Sequence, residues 1–163
     1  IEKVCGGRFI FSGGGKVTFQ AAHSEYSANV IAEGFRKLGI LARLIETGSI
    51  QPGVSGPLFW DEPESNLNPK LMELMVRILL ELARSGQQII LATHDYVLLK
   101  WFDLFMHKDD QVVFHSLYND QKTLTSQTAS TGDYLKIIPN PIDEAFGSLV
   151  NQEITNEMGA LGK

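Results

Sequence analysis

Two adjacent carboxylates, Asp61 and Glu62, end the apolar run Pro57-Leu58-Phe59-Trp60. Such a run predicts a strand buried on both faces of a parallel sheet. Successive side chains of an extended chain point in opposite directions, so the two carboxylates diverge. One can face a metal ion while the other faces a water molecule. Phosphoryl transfer to water needs both tasks done: Mg2+ held on the β/γ oxygens, and the attacking water oriented. Taken alone, Asp-Glu-Pro is equally well a turn that opens after a buried strand.

The following residues enlarge the pattern. Pro63 to Asn68 is a polar turn, and Pro69 then occupies the first position of a helix, where its missing N–H costs nothing. The helix runs to about Arg84, with Leu71, Leu74, Met75, Ile78, Leu79 and Leu82 on its apolar side, and Ser85-Gly86 ends it. Gln88-Ile89-Ile90-Leu91-Ala92-Thr93 reads as a second buried strand, stopping at His94-Asp95. Strand, helix and strand with short connections imply right-handed βαβ packing and a parallel sheet, where ligands collect at the carboxyl ends of the strands. Adjacent strands then bring Asp61, Glu62 and His94 to one sheet edge. A His at a strand end is, by itself, an ordinary core or surface residue.

Leu58 to Asp95 resembles the ABC-type ATPases, in particular the RecF/SMC-like and overcoming-lysogenization-type branch of AAA-family ATPases, and the likeness extends over Ala32 to Leu99. In that group Asp-Glu-Pro ends the Walker B strand, a Ser-x-Leu-x-Pro-like D-loop follows, and Thr-His ends the next strand. The resemblance implies that Asp61 binds Mg2+, that Glu62 is the catalytic glutamate polarising the attacking water, and that His94 is the switch histidine at the γ-phosphate. It also implies that Ser65, Asn66 and Asn68 belong to the D-loop, which crosses a dimer interface toward the partner's ATP. The implied fold is α/β, a partial P-loop NTPase of ABC-ATPase-like three-layer sandwich type, with parallel central strands, helices on the faces and an N-terminal β-hairpin.

Two departures stand out. The family's signature helix begins Leu-Ser-Gly-Gly or Ser-x-Gly and donates N–H groups to the partner's γ-phosphate. Here the best match is Ala32-Glu33-Gly34-Phe35-Arg36-Lys37-Leu38. Gly34 permits close approach of backbone to phosphate, and Arg36 or Lys37 adds positive charge. The serine is missing, however, and Glu33 stands where an anion would be repelled; a plain packing helix accounts for the segment as well. The second departure is the P-loop, Gly-x-x-x-x-Gly-Lys-[Ser/Thr]. Gly15-Lys16 is followed by Val17 and lies in a predicted hairpin, and Gly162-Lys163 ends the chain. Neither is a Walker A motif.

The elements that must position these residues are legible elsewhere. Gly7 to Phe11 and Lys16 to Phe19, around Ser12-Gly13-Gly14-Gly15, predict a hairpin within residues 1–20. Phe35, Leu38, Leu41 or Ala42, and Ile45 recur at helical spacing from about Glu33 to Thr47, with Gly48 as C-cap of the signature-like segment 32–48. Residues 57–95 carry the Walker B strand through the switch His. Residues 96–163 hold a short amphipathic helix or mixed segment at Tyr96 to Phe105, paired strands at Gln111 to Tyr118 and Thr123 to Gln127 around Asn119-Asp120, a loop from Ala129 to Asn140 in which brief pairing of Tyr134 to Ile138 is the alternative, and a last helix from Ile142 to about Glu157. All 163 residues are expected to form one domain.

Composition sets the remaining bounds. Fourteen Lys and Arg against 19 Asp and Glu leave a net charge of −5, which excludes a chain-wide basic surface for nucleic acid. A hydrophobic fraction of 44 % with 20 % charged residues excludes disorder. No apolar run nears the roughly 18 residues of a membrane span. The single cysteine, Cys5, excludes a disulfide framework and points to a reduced, cytoplasmic setting. His23, His107 and His115 form no spaced ligand set for zinc or di-iron. Core packing accounts for Trp60, and for Trp101-Phe102 with Phe105-Met106, more simply than base stacking or domain docking. Glu64 is expected at the rim of the site.

The resemblance therefore implies the C-terminal, Walker-B-containing part of an ATPase head. ATP and Mg2+ are the cofactors, a Walker A segment N-terminal to this sequence completes the site, and two heads form a homodimer on ATP. Nucleic acid or an attached effector protein is the coupled partner, since relatives act in DNA repair, chromosome maintenance and phage defence. The start at Ile1, without Met, suggests a piece cut from its own P-loop, inactive alone and carrying an exposed sheet edge that favours dimerisation or aggregation. The contrasting reading is a non-catalytic interaction module that keeps the ATPase fold.

Overall fold

The computed structural model of the chain describes residues 3, 6–13, 16–27, 31–119 and 125–161. Cys5, the Gly14-Gly15 turn, Asp120, the Thr123-Leu124 strand start and Gly162-Lys163 lie outside the described residues. Two compact units, 1–93 and 94–163, are distinguished, and each is described by itself.

The first unit opens with an antiparallel sheet of order β1-β2-β3, formed by β1 (Gly7–Phe11), β2 (Val17–Ala21) and β3 (Ser24–Ser27). The expected hairpin is present, with Phe9 opposite Phe19 and their rings edge to face at 4.9 Å. β3 was not legible, because Ser24-Glu25-Tyr26-Ser27 is exposed throughout and has no apolar face. Helix α1 (Glu33–Glu46) follows and buries Gly34, Leu38, Gly39 and Leu41. It meets the sheet closely: a Cβ at Gly39 would collide with the Phe9 ring, and the Arg43 guanidinium lies 5.3 Å from the Phe11 ring centre. Gly48, at φ 72°, turns the chain out of the helix.

β4 (Leu58–Asp61) and β5 (Ile89–Ala92) pair in parallel, Leu58 opposite Ile89 and Asp61 opposite Ala92. Between them runs α2 (Pro69–Arg84), with Pro69 in its first turn and the Asn68 side chain capping the Lys70 N–H at 3.0 Å. Leu41, Ile50 and Leu82 form a core cluster against which Leu58, Trp60, Ile78 and Ile89 pack. Trp60 is thus a core aromatic. Two expectations need correction. The strands are partly buried on the face whose Leu58, Trp60 and Ile89 pack on the core cluster, whereas Phe59 is 69 % and Ile90 44 % exposed on the other. The apolar side of α2 is also wider than its periodicity indicates, since Met72, Val76 and Leu80 are buried while Leu74 and Ile78 are only partly so.

In the second unit, α3 (Tyr96–Phe105) is capped by Asp95, whose Oδ1 accepts from the Leu98 N–H at 2.7 Å. β6 (Phe114–Asn119) and β7 (Ser126–Thr131) pair antiparallel, so the second strand runs on to Thr131, through residues from Ala129 where a loop was expected. A 3-10 turn at Tyr134–Lys136 precedes α4 (Pro141–Leu161), which extends beyond the predicted Glu157. Tyr96 of α3 stacks on Phe146 of α4, their centroids 3.9 Å apart. Phe114 meets Tyr134 edge to face, Phe102 is buried, and Trp101 stacks on Phe105. Lys100 lies over the Tyr134 ring and 2.8 Å from Asp103, whose hydrogen bond holds the lysine pKa above its ordinary value. Among the described residues no helix is long and apolar enough to cross a membrane.

Candidate active site

The carboxyl end of β4 carries the chemistry-bearing residues. Asp61 is the last strand residue and is exposed. Glu62 follows in the left-handed region at φ 44°, and Asn66 is again left-handed at φ 59°. A non-glycine residue held there costs of order 1–3 kcal/mol and persists only when its surroundings over-determine it; such residues cluster at functional sites. Asn accommodates the conformation better than Glu does.

The surroundings of this turn are explicit. The Glu62 N–H donates to the Ala92 carbonyl at 2.8 Å, continuing the β4–β5 ladder by one bond. The Glu62 carbonyl accepts from the Ser65 N–H at 3.1 Å, and the Glu64 carbonyl from the Leu67 N–H at 2.8 Å, so two tight turns follow one another. Lys37 of α1 reaches across, its Nζ 3.0 Å from the Glu62 carbonyl and 2.7 Å from that of Ser65. Asn66 Nδ2 donates to the Glu33 carboxylate at 2.8 Å. Gly34 is pressed against the turn: a Cβ there would stand 2.8 Å from the Asn66 carbonyl oxygen and 2.9 Å from Leu67 Cα.

These contacts give several candidate residues structural work. The missing Cβ of Gly34 is required by the Asn66-Leu67 backbone. Lys37 spends its ammonium on two carbonyls, and Glu33, expected only to repel an anion, accepts from Asn66. Arg36 is partly buried on the same helix. Ser65 is partly buried, its Oγ 3.4 Å from Asn66 Nδ2, and Asn68 caps α2. Ala32 stands at the N-cap of α1, where its side chain supplies no hydrogen bond, and its carbonyl accepts from the Phe35 and Arg36 N–H groups at 3.0 and 3.3 Å. His94 is exposed and opens the second unit, two residues after Ala92.

Glu64 departs from its expected place at the rim. It is only 7 % exposed; its Oε1 accepts from Thr93 Oγ1 at 2.6 Å, and its buried Oε2 has no hydrogen-bond partner among the described residues. Sequence reasoning missed this link and the Lys37 bridge. A glutamate in a polar turn carries no local mark of burial, and the one hint for Lys37 is that it lies three residues after Gly34 on one helix face.

Among the described residues no group of three or more His, Cys, Asp or Glu side chains is arranged to hold a metal. A nucleotide-borne Mg2+ asks for less: one or two carboxylates beside phosphate oxygens and water. Exposed Asp61 fits that requirement.

The chain is similar in fold to solved SMC ATPases. One, described for "ATP-driven dimerization and DNA stimulated activation", superposes with a TM-score of 0.57 at 17 % identity, covering 91 % of this chain and 82 % of that one. Another is an Smc head domain with an extended coiled coil bound to the C-terminal domain of ScpA, from Pyrococcus furiosus. It gives a TM-score of 0.51 at 14 % identity over 91 % of this chain, which spans 34 % of that longer one. No curated protein matches. Residues 9–100, containing most of the hairpin sheet, α1, both parallel strands and the turn between them, match the family model described as "AAA domain, putative AbiEii toxin, Type IV TA system". The chain belongs to that family of AAA-type ATPase domains.

Proposed function

We propose that this chain contributes the metal- and water-side half of an ATP-hydrolysing site that closes between two ATPase heads. What carries the reading is the parallel, in-register pairing that sets Asp61 opposite Ala92, so that the segments bearing Asp-Glu and Thr-His leave the sheet at the same end. In this reading Asp61 binds the Mg2+ of the nucleotide, through water or directly. The metal, when bound, neutralises charge on the β- and γ-phosphate oxygens. Glu62 polarises the attacking water and orients it in line with the γ-phosphate. His94 hydrogen-bonds the γ-phosphate. Ser65 to Asn68 form the D-loop facing the partner head, and the first turn of α1, which Gly34 seats against that loop and which carries Arg36, faces the partner's nucleotide.

The phosphate-cradling P-loop is supplied by polypeptide other than these 163 residues, which hydrolyse nothing alone. The exposed face on which Phe59 and Ile90 stand opposite each other, on a sheet of only two strands, suits contact with further polypeptide. Head closure on ATP, coupled to nucleic acid or to an attached effector protein, follows by likeness to SMC ATPases described for ATP-driven dimerization, DNA-stimulated activation and ScpA binding.

The test is Glu62→Gln in the protein that includes the P-loop. ATP binding is retained and turnover falls at least about 10²-fold, the usual contribution of a positioned general base. Unchanged turnover removes Glu62 from this role, whereas an unaltered protein that includes the P-loop and hydrolyses no ATP would leave the non-catalytic interaction module as the better account.

A further inference from the structure

We infer that Lys37 is a positioning residue for Glu62, holding the strained turn that aims the carboxylate; this rests on the reading of Glu62 given above. The backbone of Glu62 is gripped on both sides. Its N–H is tied to Ala92, and its carbonyl accepts from both the Ser65 N–H and the Lys37 ammonium. The first bond restrains the peptide plane before the residue and the others the plane after it. Together they hold φ at 44°, and the direction of the Cα–Cβ bond follows from those two planes. Unless the carboxylate direction is held, a water positioned by it wanders, and small misplacements of reacting groups are costly.

Lysine suits this task. A tetrahedral ammonium has three donors that diverge, and the carbonyls of Glu62 and Ser65 take two of them from one atom. The second carbonyl immediately precedes Asn66, the other left-handed residue, whose side chain is held by Glu33 of the same helix. The first turns of α1 therefore grip the turn at both of its left-handed positions. A displacement of α1 reaches Glu62 through the Lys37 side chain without passing through the strand.

The experiment is a double-mutant cycle in the protein that includes the P-loop, reading single-turnover hydrolysis and ATP affinity separately. Lys37→Met is expected to lower the hydrolysis rate about tenfold, as a modest misplacement does, while ATP affinity stays unchanged. Added to Glu62→Gln, it is expected to cause no further loss, because its effect runs through the carboxylate that is already gone. Lys37→Gln, which keeps an NH2 donor, should recover part of the rate, and it serves in the cycle if Lys37→Met does not fold. A normal rate in both Lys37 variants beside an impaired Glu62→Gln overturns the inference and leaves the proposed function intact. So does an equal further loss in the double variant, which would mark Lys37 as a support of the fold or a nucleotide contact. Full turnover by Glu62→Gln overturns both readings together.

Discussion

The turn after β4 is held by partners distant in sequence, whereas the helix that follows β5 is started by a cap written in its own sequence. Residues 62–66 take bonds from Lys37, Glu33 and the end of β5, partners 25 to 33 positions away. Beyond β5, the chain enters α3 through an ordinary cap, with Asp95 accepting from the Leu98 N–H three residues on. The first turn contains two left-handed non-glycine residues, and the second shows none. Local capping makes a stable element start wherever it is written. Strained geometry needs neighbours distant in sequence, so its precision depends on the packing of the whole unit. The residue proposed to orient water sits in the turn of that second kind, as expected if accuracy there is worth its strain.

The contrast can be broken by stability measurements. The largest effect is expected from Gly34→Val, whose side chain must displace the Asn66-Leu67 backbone rather than a flexible side chain. Overpacking of this kind costs about 1–3 kcal/mol or more, read as a lower denaturant midpoint. A neutral outcome would show that α1 and the turn are not closely fitted. Thr93→Val comes next. It leaves the buried Glu64 Oε1 without its hydroxyl donor while conserving shape, at a cost of about 1–3 kcal/mol for an unsatisfied buried group. If unfolding in urea is the same for both proteins, the Glu64–Thr93 link holds nothing. The smallest loss, about 1 kcal/mol, is expected from Asp95→Ala, the ordinary worth of an N-cap. Should Asp95→Ala prove more damaging than Gly34→Val, the local turn would be the critical one and the comparison would reverse.

Much of the local structure is legible in the sequence. Pro69 and Asn68 announced the start of α2, the spacing of Leu38 and Leu41 set the buried side of α1, and the two short apolar runs became parallel neighbours as their connection required. Three features were not legible, for distinct reasons. β3 pairs through its backbone with no apolar alternation. The exposed face of β4 and β5 depends on which layers cover it, and an apolar run reads the same with one layer or two. The extra buried residues of α2 depend on neighbours on a second side of the helix.

By itself, the order of residues determined the chemistry available: an apolar strand ending in Asp61-Glu62, a proline-started helix, and a second strand running into Thr93-His94. Those signals are local, written in periodicity, caps and adjacent residue types. The tertiary structure alone decided how the chemistry is held: Lys37 on the Glu62 and Ser65 carbonyls, Glu33 on Asn66, and Glu64 buried beneath Thr93. A hydrogen bond between residues some 25 or more positions apart imposes no pattern on the residues between them, so only the folded chain reveals it.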